Sequence, residues 1–160
     1  MSTPSLLDAV RVVKENERKA SASYADAAQQ ISDSLGKQLF QQLSEFEKFH
    51  YEQLTALETS LVESGDFINY EGKVFPTPPS FEIKAAQAPA TKSVMTIVTE
   101  AIDLEKQAEK AYSDLAAQTT DPRGYKMFRR LSEEEHNHYR ILSDAYWTLN
   151  NLGTWKWSRI

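Results

Sequence analysis

The chain has 160 residues, 41% of them hydrophobic, with no cysteine and a formal net charge of −5. That size and composition suit one domain, residues 1–160, with a substantial core, and the interleaved charges exclude the basic stripe that binds nucleic acid or an anionic membrane. The lack of cysteine removes disulfides, thiol nucleophiles, thiolate zinc sites and iron–sulfur ligation together, so any metal has to be held by Glu, Asp, His or Tyr. The N-terminal stretch MSTPSLLDAVRVVKENE carries no cationic segment followed by an apolar run. Nothing approaches the roughly 20 apolar residues of a membrane span, and the expectation is a cytoplasmic protein.

The first predicted helix runs from about residue 5 to 34, with Pro4 at or before its first turn. Its inward stripe reads Leu6, Val10, Val13, Glu17, Ala20, Tyr24, Ala27 or Ala28, and Ile31, interrupted by one charge, Glu17. Glu15 lies about 200° away around the helix axis and is expected in solvent. Asp33-Ser34-Leu35-Gly36 reads as a turn, and the second helix as about 37–64, with Gly65 as its stop. The stripe of that helix is Leu39, Leu43, Glu47, His50, Leu54, Leu57 and Leu61, so a polar pair falls inside an apolar row. Residues from about 66 to 91 hold Gly72, Pro76, Pro78, Pro79 and Pro89, which exclude a long helix. Phe67, Ile68, Tyr70, Val74, Phe75 and Phe81 make the same stretch too apolar for a free linker. It reads as an ordered crossover able to run the length of a bundle.

The third helix is expected over about 93–119, on the stripe Val94, Ile97 or Val98, Ala101, Glu105, Ala108, Tyr112, and Leu115 or Ala116. Its interrupting charge is Glu105; Glu100 and Glu109 lie off the row, with Glu109 held in reserve one turn on. Asp121-Pro122-Arg123-Gly124 turns the chain into a fourth helix, about 123–149, which carries Phe128, Leu131, Glu135, His138, Leu142 and Tyr146 at core spacing. A second Glu-x-x-His there, Glu133 to His136, shares its face with Arg129, Asn137 and Arg140 and is read as outward. The tail NNLGTWKWSRI, with two tryptophans, is read as a cap on the bundle or an oligomer contact.

The two halves are one unit written twice. Glu17 and Glu105, Tyr24 and Tyr112, Gly36 and Gly124, Phe40 and Phe128, Glu47 and Glu135, and His50 and His138 all stand 88 positions apart. Such a register gives an all-α antiparallel four-helix bundle from two helix hairpins joined by a long crossover. Glu and His three apart on a helix are surface neighbours and can point at one object. Bundled, the interrupting groups converge as four carboxylates, Glu17, Glu47, Glu105 and Glu135, and two imidazoles, His50 and His138. Four unpaired carboxylates are prohibitive to bury, whereas two divalent cations cancel their charge. Oxygen donors with imidazole suit iron or manganese rather than structural zinc. Tyr24 and Tyr112 stand two turns beyond a ligand Glu, about 10 Å along the axis. Facing an adjacent helix, their hydroxyls can support the ligand carboxylates; the alternative is a core tyrosine with ordinary partners.

At Glu17-x-x-Ala20-x-x-x-Tyr24, Leu43-Ser44-Glu45-x-Glu47-x-x-His50, Glu105-x-x-Ala108-x-x-x-Tyr112 and Leu131-Ser132-Glu133-Glu134-Glu135-x-x-His138 the chain resembles the ferritin-like superfamily. Within it, the resemblance is to rubrerythrin-like proteins. It implies a non-haem di-iron centre with two irons cycling between ferrous and ferric, bridged by oxo, hydroxo or water. The six residues would be its ligands and catalytic residues, in a peroxidase or oxidase that reduces hydrogen peroxide or dioxygen in oxidative-stress protection. Two departures accompany it. Typical rubrerythrins carry a further Glu one turn after the third-helix ligand, where this chain has Ala108, and many carry a rubredoxin domain, which implies here an external electron donor such as a rubredoxin. The ligand set also resembles that of bacterioferritin, although the second helix has no Met for its haem. A homodimer is the expected assembly, with domain swapping across the crossover left open. The competing functions are a ferroxidase of iron-storage type and a metal-binding structural or regulatory bundle.

Overall fold

The computed structural model describes residues 5–77 and 92–157, with only the backbone of Lys92. Four helices, α1 (Leu6–Gln30), α2 (Ser34–Glu63), α3 (Lys92–Gln118) and α4 (Pro122–Leu152), build the bundle, and no strand occurs among the described residues. α1 packs along α2 and α3 along α4, while α1 meets α3 over a smaller interface. The expected pairing of hairpins is thereby observed.

Boundaries follow from caps. Ser5 caps α1 by accepting from the Asp8 amide; Pro4, expected at that turn, lies outside the described residues. The first helix was expected to reach residue 34, but it ends at Gln30 because Asp33 caps α2, its carboxylate accepting from the Leu35 and Gly36 amides. Asp121, 88 positions on, does the same for α4 through the Arg123 amide, with Pro122 in the first turn. Gly36 and Gly124 consequently sit inside helices rather than in turns. Each makes room for an aromatic ring: a Cβ on Gly36 would fall inside the Trp155 indole, and one on Gly124 would lie 2.5 Å from Phe67 Cζ. Gly65 stops α2 with a positive φ of 74°, and Gly153 does so for α4, one turn later than expected.

The core divides into two apolar clusters at opposite ends of the bundle. One holds Tyr24, Ile31, Leu39, Phe40, Val98, Leu142 and Trp155, the other Val10, Val13, Leu54, Leu57, Phe128 and Leu131. Between them lies the layer containing the polar residues that interrupt the four stripes. The serines of the repeat tie each hairpin at this level, Ser44 Oγ donating to Ser21 O and Ser132 Oγ to Glu109 O. Tyr146, expected inside, is exposed, because the inward row of α4 passes from Leu142 to Ala145 and Leu149. Trp155 and Trp157 fold back onto the first cluster, so the tail packs over that end of the bundle.

The described part of the crossover, 66–77, is an extended strap with Phe67 and Tyr70 buried and Val74 exposed. Pro78, Pro79, Phe81 and Pro89 lie outside the described residues.

Candidate metal centre

All six expected residues meet at mid-height, each no more than 2% exposed: Glu17 from α1, Glu47 and His50 from α2, Glu105 from α3, Glu135 and His138 from α4. Their donor atoms fall into two overlapping sets, Glu17, Glu47, His50 and Glu135, then Glu47, Glu105, Glu135 and His138, each with its atoms within 4.8 Å of one another. Glu47 and Glu135 belong to both. Nδ1 of His50 lies 3.1 Å from Glu135 Oε1 and 3.5 Å from Glu17 Oε2 and Glu47 Oε1. Nδ1 of His138 lies 3.4 Å from Glu47 Oε1 and Glu105 Oε2, and 3.5 Å from Glu135 Oε1.

Those atoms are donors of the kind that could hold metal ions. Glu17 Oε2, Glu47 Oε1, Glu105 Oε2, both Glu135 oxygens and both Nδ1 atoms are buried without a hydrogen-bond partner, although buried polar groups are nearly always satisfied. Four carboxylates at this spacing repel. Burial, then the charges of Glu135, Glu17 and Glu105, holds Glu47 well above the usual carboxylate range; burial, then Glu105 and Glu17, does the same to Glu135. Glu17 goes the other way, because against burial stand the facing imidazole of His50 and the hydrogen bond it accepts from Tyr112. Burial opposes the imidazolium of His50, yet its bond to Glu134 and the nearby charges of Glu17 and Glu47 prevail and raise its pKa well above 6.5. Without metal the centre holds protons, which bound cations would displace.

The tyrosines are reciprocal. Tyr24 of the first hairpin donates to Glu105 Oε1 of the second at 2.8 Å, and Tyr112 of the second donates to Glu17 Oε1 of the first at 2.6 Å. Each leaves the other oxygen of its carboxylate facing the centre. Burial and the adjacent carboxylate charge keep both phenols protonated, with pKa values well above 10. Between α1 and α3 a cavity of about 170 Å³ reaches Glu17, Glu47 and both tyrosines, and Ala20 and Ala108 form part of its wall. Ala108 thus lines one approach to the site, and a second cavity of about 410 Å³ reaches His138 from the side of Phe75 and Glu134.

One residue of the site is missed by the sequence. Glu134, inside the run Glu133-Glu134-Glu135, is 2% exposed and accepts a bond from His50 Nε2 at 2.9 Å. Tyr70 Oη, the Lys73 amide and Arg130 Nε also donate to it. Its local signal is the Arg130–Glu134 spacing of four on α4. Glu133 and His136 are exposed as expected, and His136 Nδ1 lies 3.1 Å from Glu109, which stays outside the centre.

The family model for rubrerythrin matches residues 69–150. The chain belongs to the rubrerythrin family. Its fold is similar to that of a hypothetical protein from Pyrococcus furiosus, with 21% identity, 94% of each chain covered and a TM-score of 0.74. No curated protein matches the chain in sequence. The rubrerythrin match begins in the strap at residue 69 and spans α3 and most of α4. It thus contains Glu105, Glu134, Glu135 and His138, while the 88-residue repeat supplies Glu17, Glu47 and His50 from α1 and α2.

Proposed function

We propose that this protein is a non-haem di-iron oxidoreductase that reduces hydrogen peroxide or dioxygen with electrons delivered from outside these 160 residues. The observation that carries it is the pair of overlapping donor sets sharing Glu47 and Glu135, in a family named for rubrerythrin. Glu17, Glu47, His50 and Glu135 would hold one iron, and Glu47, Glu105, Glu135 and His138 the other. A ferrous pair held there would supply two electrons and an electrophilic surface for oxygen. The chain's own residues do the rest. Tyr24 and Tyr112 fix the terminal carboxylates by holding one oxygen of each, so the other stays aimed inward. The cavity beside Ala20 and Ala108 admits a molecule of two heavy atoms. The apolar clusters above and below exclude bulk water.

Ala108 favours iron oxidation by dioxygen, of ferroxidase type, as a second reading. Metal analysis followed by stopped-flow mixing of the ferrous protein with each oxidant tests both. Two irons per chain and faster oxidation by peroxide support the first, faster oxidation by dioxygen the second, and no oxidation by either refutes both. Loss of the iron in Glu47→Ala and Glu135→Ala is the expected control. A rubredoxin-type protein is the proposed donor, since the 160 residues contain no cysteine.

A further inference from the structure

The 88-residue symmetry that governs the six donors fails one layer further out. His50 and His138 are repeat mates and both turn Nδ1 inward, so both turn Nε2 outward, but into different surroundings. Nε2 of His50 meets the Glu134 carboxylate at 2.9 Å. The repeat mate of Glu134 is Phe46, and Nε2 of His138 is buried with no hydrogen-bond partner. Rings enclose it instead: Phe46 edge-on at 4.4 Å between centroids and Phe75 at 5.2 Å, with Trp157 behind Phe75 at 5.7 Å.

The strap makes the difference on both sides. Its Tyr70 hydroxyl and Lys73 amide close on Glu134, whereas its Phe75 closes on His138. At Gly72, φ is 80°, and a Cβ would collide with the Arg130 guanidinium and the Glu134 carboxylate, so glycine lets the strap lie against this pair. Four donors converge on Glu134, one each from α2 and α4 and two from the strap.

We infer that Glu134 is a positioning residue that makes the two metal positions unequal, so that the position served by His50 fills first and more tightly and the one served by His138 is the exchangeable one. An imidazole whose outer N–H is held by a carboxylate has its tautomer and ring orientation fixed and is a stronger donor. Removing such a partner typically lowers metal affinity roughly 10–100-fold. His50 has this partner and His138 has none. The inference rests on the centre being a dinuclear metal site, and its test separates the two ideas.

Apoprotein is titrated with Co²⁺ alone, followed by calorimetry and by the visible absorption of the bound ion. The wild type takes up two ions in two resolved steps. Glu134→Gln weakens only the first step, by roughly 10–100-fold, so that the two merge. His138→Ala keeps the tight step and loses the weak one; His50→Ala does the reverse. Gly72→Ala, which displaces Arg130 and the strap without altering any donor, weakens the first step by a smaller factor and covers the case in which Glu134→Gln does not fold. Two steps unchanged in a folded Glu134→Gln, or a tight step that survives in His50→Ala, overturns the inference while leaving the dinuclear site standing. No uptake by the wild type overturns the site itself, and with it the inference.

Discussion

Replacing Glu135 by Gln is expected to stabilise the metal-free protein while removing one of the two shared donors. Glu135 is completely buried, and burial, then Glu105 and Glu17, holds its carboxyl well above 4.5. A carboxyl raised on folding contributes stability that is fully present below its unfolded pKa. That contribution is lost as pH climbs toward the folded value, because only the unfolded chain then releases its proton. Each pH unit in that window lowers wild-type stability by about 1.4 kcal/mol. For a chain of this size that is about 3–6 °C in Tm. Above the unfolded pKa, metal-free Glu135→Gln should melt above the wild type by a margin that widens as pH rises, and below about pH 4 the two should converge. Glu47 loses its strongest repelling neighbour in the same variant, which adds to the gain. Calorimetric melts of chelated protein between about pH 4 and 7 measure this. Added divalent metal should reverse the order, since saturation at 100 times Kd stabilises the wild type by about 2.7 kcal/mol and the variant by less. Parallel Tm curves for the two apoproteins would refute the reasoning, because Glu135 would then ionise as easily folded as unfolded.

Metal uptake at about pH 6 should release protons from Glu47, Glu135 and His50, whose pKa values are raised in the apoprotein; calorimetric heats that do not vary with the ionisation enthalpy of the buffer would contradict this. Tyr112→Phe removes the 2.6 Å bond to Glu17 and should cost about 1.5–3 kcal/mol in urea denaturation, with Tyr24→Phe costing a similar amount. Equality with the wild type in either would remove the reciprocal pairing. Gly36→Ala drives a methyl into the Trp155 indole and should cost about 1–3 kcal/mol with a red-shifted tryptophan emission; unchanged emission would place Trp155 elsewhere.

The hairpins and the six converging residues were legible because both are written in helical periodicity. Glu17, Glu47 and Glu105 each break an apolar row, and the repeat states the break twice. Glu134 was not legible for the opposite reason. Its partners are His50, 84 positions earlier, and Tyr70 and Lys73 on a strap with no period, so no local pattern records them. Glu135 beside it, on the row of Leu131 and Leu142, drew the reading to itself. The start of α2 was displaced by three residues because Gly36 reads as a turn glycine, whereas its use is to receive Trp155, 119 positions away. Tyr146 was misplaced because a strict step of four from Leu142 overshoots the inward row, which moves to Ala145 and Leu149.

The sharing of Glu47 and Glu135 between the two donor sets bears on the order in which the chain folds. Each set takes three donors from one hairpin and one from the other, so neither is complete until the hairpins meet. The hairpins themselves rest on contacts between neighbouring helices, which form rapidly, while bringing the halves together closes a long loop through the crossover. Docking is then the slow step, and the one to which metal couples. A refolding experiment should show hairpin helicity first at a rate indifferent to metal, followed by a phase that divalent ions accelerate.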